Sequence, residues 1–131
     1  MNSALEFHDS EVSSVRMSDG SVTVVFKSAY VHRSSGRPGV DAGSGFVEPG
    51  ELLFLEAQWS ERGGACIGRV SEGMVTAEGK EFANVVPLPL SMAGRVTAKI
   101  SFASGAVLEV TGSSVSYIPT GIAEFVETYE G

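Results

Sequence analysis

The sequence predicts a mainly β protein: an antiparallel β-sandwich or small barrel of about 8–10 strands with one short C-terminal helix. Three observations carry this. Two long stretches, Ser21–His32 and Arg95–Thr111, alternate their side chains with a period of two. Turn signals rich in Gly, Ser, Asp and Pro recur at roughly 8–12-residue spacing. Only the tail changes to a helical period. At 131 residues the chain is expected to form a single β-rich domain, residues 1–131, large enough to bury a core.

The first hairpin is the clearest element. Val22, Val24, Phe26, Ser28 and Tyr30 point one way, while Thr23, Val25, Lys27, Ala29 and Val31 point the other. β-Branched and aromatic residues at that spacing specify a strand. Ser18-Asp19-Gly20 supplies the turn, since Gly accepts positive φ. Val15 and Met17, alternating with Ser14 and Arg16, mark a shorter partner strand, and residues 1–6 read as a lead-in.

Ser34–Gly45 reads as a Gly- and Ser-rich loop, and no Gly-Lys-Ser/Thr closes it into a phosphate-binding loop. Glu48-Pro49-Gly50-Glu51 reads as a tight turn. Leu52–Trp59 follows as a strand with Leu53, Leu55, Ala57 and Trp59 on its apolar face. Short strands are expected at Ala65–Val70, Met74–Ala77 and Phe82–Val86. Pro87-Leu88-Pro89-Leu90 is expected as an extended crossing segment or an edge, because proline lacks the ladder donor.

The second hairpin spans Arg95–Thr111, turning at Ser104-Gly105. Gly112-Ser113-Ser114 reads as another turn before a strand at Val115–Ile118. In the tail, Ile122, Phe125, Val126 and Tyr129 fall at i, i+3, i+4 and i+7, one face of a helix that Thr120 would cap.

Composition bounds function. The net charge of −7 and the scattering of nine basic residues exclude a phosphate-binding stripe, so no nucleic-acid partner is expected. A basic protein partner would be steered to such a surface. No apolar run approaches the roughly 18 residues of a membrane span. No basic segment followed by an apolar one opens the chain, so no signal peptide is expected and a cytoplasmic location follows. The lone Cys66, set between Ala65 and Ile67, reads as a small buried hydrophobe and fits a reducing compartment.

One cluster could carry chemistry. His8 and Asp9 precede the first strand and His32 ends the second, so folding the hairpin would bring them together as candidate metal ligands, with Glu11 nearby. Trp59, Phe54 and Tyr30 read as core aromatics that could also line a ligand cavity. No nucleophile elbow or HExxH motif is present. No cofactor and no catalytic residue are expected.

Phe7-His8-Asp9-Ser10, followed by a short strand, a turn and a long strand, resembles the opening of small uncharacterised bacterial all-β proteins. These begin with a similar Phe-His-Asp-(Ser/Ala) stretch. The Phe102–Val115 segment with its Gly105 turn, and the Glu-rich tail Ile122–Tyr129, are in the same style. Some proteins with that opening resemble immunity proteins of bacterial toxin systems, which bind and block a toxin. The resemblance implies a non-enzymatic protein-binding domain. The alternative expectation is a small-ligand-binding barrel or metal-dependent enzyme at the His8/His32 end. Strand edges or the terminal helix would also allow pairing with a second copy.

Overall fold

The computed structural model describes residues 1–131. Ten strands follow in chain order: β1 (Asn2–Ser18), β2 (Ser21–Ser34), β3 (Gly43–Leu55), β4 (Gln58–Arg62) and β5 (Gly68–Ala77). β6 (Lys80–Ala83), β7 (Val85–Leu88), β8 (Ser91–Phe102), β9 (Val107–Pro119) and β10 (Glu124–Tyr129) complete the chain. Six of them close a barrel in the order β1-β2-β3-β9-β8-β5, every neighbour antiparallel. Closure gives each of the six a neighbour on both sides over part of its length, and β10, β7 and β6 pair the stretches of β3, β1 and β5 that it leaves.

Side chains of the inner face fill the barrel. Leu5, Phe7, Val22, Val24, Leu52, Phe54, Val70, Val75, Ile100 and Leu108 are fully buried there. Phe26 lies 6.5 Å from both Phe7 and Tyr117, centroid to centroid, and ties the two ends of the core together. The residues facing the core on β3 are Leu52 and Phe54. Leu53 and Leu55 face outward, the reverse of the apolar face predicted, because β3 ends at Leu55 and Glu56 turns with φ +46°.

The seam between β1 and β5 is the narrowest, with only Glu11↔Arg69 and Val12↔Gly68 paired. Asn84 stitches the remainder. Its N–H donates to the Gly73 carbonyl at 2.7 Å, and its carbonyl accepts the Phe7 N–H at 2.8 Å. Its side-chain oxygen takes the His8 N–H, also at 2.8 Å. Asn84 holds φ +63°, a conformation that Asn tolerates better than most residues. β7 then pairs with β1 and β6 with β5, extending the wall beside the narrow seam, and Val86 of β7 is buried in the core.

The predicted C-terminal helix is absent. Residues 124–129 instead form β10, paired with Val47–Gly43 of β3. A bulge between Phe125 and Glu127 puts those two side chains on opposite faces, and this re-phasing mimics the helical spacing seen in the sequence. The helix would have been marginal, whereas the strand satisfies the otherwise open edge of β3.

Two predicted turns are also strand. Pro49 lies within β3, opposite the β2 bulge between Phe26 and Ala29, where the ladder needs no donor from it. There the outer edge of β3 passes from β10 to β9. Gly112–Ser114 stays within β9, beside the irregularity between Ala93 and Val96 of β8. The predicted long loop is shorter than expected, spanning residues 35–42, and the predicted lead-in belongs to β1. No helix of the structure is long and apolar enough to cross a membrane.

Candidate functional site

The motif Phe7-His8-Asp9-Ser10 forms a bulge in β1. Asp9 adopts φ +71°, and the register breaks between Glu6 and Glu11. Ser10, fully buried, repairs the ladder with its side chain. Its hydroxyl donates to the Glu6 carbonyl at 2.6 Å and accepts the Tyr30 N–H at 2.9 Å. Phe7 turns inward to the core. His8 and Asp9 stay at the surface, where Asp9 lies 3.4 Å from Arg69 and 3.5 Å from the His8 ring. The other His8 nitrogen is 3.0 Å from the Ser71 carbonyl.

His32 is placed elsewhere. The pairing sets Ala4, not His8, opposite it, so the structure does not bring the two histidines together. The expectation overlooked that β1 starts at Asn2, which slides His8 along its strand away from the end of β2. Nor does any group of three or more His, Cys, Asp or Glu side chains form that could hold a metal ion.

His32 and Tyr30, both buried, instead anchor a polar cluster outside the barrel wall that reaches the surface at Glu127. The His32 Nε2 meets the Glu6 carboxylate. Its ring sits between those of Tyr30 and Tyr129, 5.1 Å from each centroid. Its Nδ1 is buried without a hydrogen-bond partner. Glu127 accepts hydrogen bonds from the hydroxyls of Tyr30 (2.6 Å) and Tyr129 (3.0 Å), and those two hydroxyls also meet each other. Gly45 makes this approach feasible, since a Cβ there would fall on the Tyr30 hydroxyl. The cluster clasps β10 to β2 across β3.

A second polar pair occupies one mouth of the barrel. Glu48, 7% exposed, accepts a 2.7 Å hydrogen bond from the Tyr117 hydroxyl. Both face a cavity of about 310 Å³ walled by Val31, Leu88, Pro89 and Pro119, with Arg33 at its side. The Arg33 guanidinium lies 4.4 Å from the centre of the Phe46 ring and forms no ion pair.

All three tyrosines are held protonated. Burial, then hydrogen bonding to a carboxylate, pushes the Tyr117 and Tyr30 phenols well above their ordinary value, and burial raises Tyr129 as well. The hydrogen bonds from Tyr30 and Tyr129 hold Glu127 below the usual carboxylate value. A phenol whose pKa is raised on folding keeps a proton that the unfolded chain has lost, so stability falls as pH rises through and above the ordinary value of 10.0. Alkaline titration should therefore show tyrosinate absorbance appearing together with loss of near-ultraviolet circular dichroism. Ionisation of all three phenols with the fold intact would contradict this.

Of the other candidates, burial raises the thiol pKa of Cys66, which lies in the core and is a poor nucleophile in consequence. Phe54 is core, Tyr30 belongs to the His32 cluster, and Trp59 is 43% exposed on β4. Sequence reasoning missed Glu6, Glu127, Tyr129, Glu48 and Tyr117. Glu6 was within reach, because correct hairpin register sets it diagonal to His32. Glu48 was hidden by its Pro49-Gly50 neighbours, which resemble a solvated turn.

Fold and sites together define a small closed antiparallel β-barrel with a polar mouth and a clasped C-terminal edge strand. No protein-family model, curated protein or solved structure matches the chain.

Proposed function

We propose that this chain is a cytoplasmic, non-enzymatic protein-binding domain of the immunity-protein kind, which takes an extended segment of a basic partner along β10. The observation that supports this is the character of that strand. β10 is the outermost strand of the sheet, pairing only with β3, and it carries Phe125 and Val126 at 61% and 45% exposure. Ile122, just before it, is 87% exposed. β10 has neither the Lys nor the Pro that often blunts an edge strand, and its charges, Glu124 and Glu127, are both acidic. The other terminal strand, β4, is of similar length but ends in Arg62, a basic group that β10 lacks.

Charge sets the kind of partner. After Lys99 the chain has no Lys or Arg but four glutamates, three of them (Glu124, Glu127, Glu130) in or beside β10. Added strands gain affinity from main-chain hydrogen bonds and specificity from alternate side chains. An extended segment alternating Lys or Arg with aliphatic residues fits this edge.

A fluorescent peptide of alternating Lys and Val, titrated with the protein, tests the proposal through its anisotropy. Binding is expected, weakening as salt rises and lost in Phe125→Lys and Val126→Lys. An alternating Glu-Val peptide that binds as well, or binding that survives both substitutions, would overturn it.

A further inference from the structure

The barrel mouth holds a second site, distinct from the β10 edge. Glu48 is a carboxylate more than nine-tenths buried, yet Tyr117 supplies its one hydrogen bond within the chain. A carboxylate has room for about four donors, and the Tyr117 hydroxyl fills one of these positions while the other oxygen still reaches the solvent of the cavity. Burial also keeps Tyr117 protonated, so the hydroxyl stays a donor and fixes one oxygen in place. The other oxygen is left for a donor from outside the chain.

Arg33 brings the opposite charge to the same cavity. It forms no ion pair, and its central carbon lies 4.4 Å from the centre of the Phe46 ring. A guanidinium presents a fork of N–H donors that matches a carboxylate. Val31, Leu88, Pro89 and Pro119 supply aliphatic lining to the same cavity. The volume is at the small end for ligand pockets, which start near 300 Å³.

We propose that this mouth binds a small aliphatic amino-acid zwitterion, its ammonium on Glu48, its carboxylate on Arg33 and its side chain against Leu88 and Pro89. A simple amine would leave Arg33 without a counter-charge, and a simple acid would face Glu48. A zwitterion satisfies both at no change in net charge.

The test is a titration of isotopically labelled protein with glycine, alanine, valine, leucine and γ-aminobutyrate, followed by NMR amide shifts. Leucine methyl ester and N-acetyl-leucine serve as amine-only and acid-only controls. At least one zwitterion should give saturable shifts at Val31, Arg33, Glu48 and Leu88. Both controls should bind at least about tenfold more weakly, equivalent to 1.4 kcal/mol. Glu48→Gln, which keeps an acceptor for Tyr117, and Arg33→Met should each weaken binding by a similar factor while the spectrum stays dispersed. No saturable shift with any zwitterion would overturn the proposal. So would a control that binds equally well, or a Glu48→Gln variant that binds unchanged.

Discussion

Phe7→Ala is expected to destabilise the protein by about 3–5 kcal/mol, the range for emptying a phenylalanine site in a packed core. A small domain has only about 5–15 kcal/mol in total, so this variant should unfold at far lower urea than the wild type. Phe7 is fully buried and touches more than the core. Its ring lies against Gly73 of β5, where a Cβ would come within 2.8 Å of three ring carbons. Glycine within a strand is a weak β-former, and here its missing side chain is what admits the aromatic ring. The backbone beside both residues is tied through Asn84, at the seam where β1 and β5 share only two paired positions. Phe7 therefore plugs the weakest line of the barrel.

Gly73→Ala should itself cost about 1–3 kcal/mol by overpacking. Combined with Phe7→Leu, whose side chain is smaller, the loss should fall short of the sum by more than about 0.5 kcal/mol, the mark of coupled neighbours. Urea midpoints at constant slope measure all three. Additive effects would show that ring and glycine are not in contact.

The alternating stretches around Val22–Val31 and Val96–Val110 show why much of the fold could be read directly. A side-chain period of two has few solutions other than a strand, and Ser-Asp-Gly or Ser-Gly between such runs closes them into hairpins. The failures share a different cause. Proline at position 49, glycine at 112 and the tail at 122–129 all mark places where register shifts or where an edge changes partners. Such irregularities are set by the opposing strand, so local pattern cannot distinguish a bulge from a turn, or a bulged strand from one turn of helix.

The same limit governed the sites. His32 stood out by its chemistry, but its neighbours Glu6, Tyr129 and Glu127 come from strands far apart in the chain. Phe-His-Asp-Ser, the stretch most suggestive of chemistry, is largely architecture: a core ring, a backbone tie to Asn84, a left-handed bulge and a hydroxyl that completes the ladder.

The two histidines should separate cleanly on substitution. His32→Ala is expected to cost about 2–3 kcal/mol, because it removes a buried hydrogen bond to the Glu6 carboxylate. It also empties the slot between Tyr30 and Tyr129. His8→Ala should stay within about 0.5 kcal/mol, as surface changes do, since the tie from His8 to Asn84 uses only its backbone. The loss at position 32 has an expected location. Tyr129 leans on the His32 ring, and Glu127 is held by Tyr30 and Tyr129, so the clasp on β10 loosens first. Amide hydrogen exchange should accelerate at Glu127, Thr128 and Tyr129, while Val22 and Val24 in the barrel keep their protection. Glu6→Gln, which retains an acceptor for the imidazole, should reproduce only part of the effect. A pair of metal ligands would behave differently, with both alanine variants losing the same metal-induced stabilisation and neither disturbing β10 selectively. Equal costs at positions 8 and 32, or unchanged exchange in β10, would remove His32 from the clasp. They would also weaken the case that this cluster holds the proposed binding edge in place.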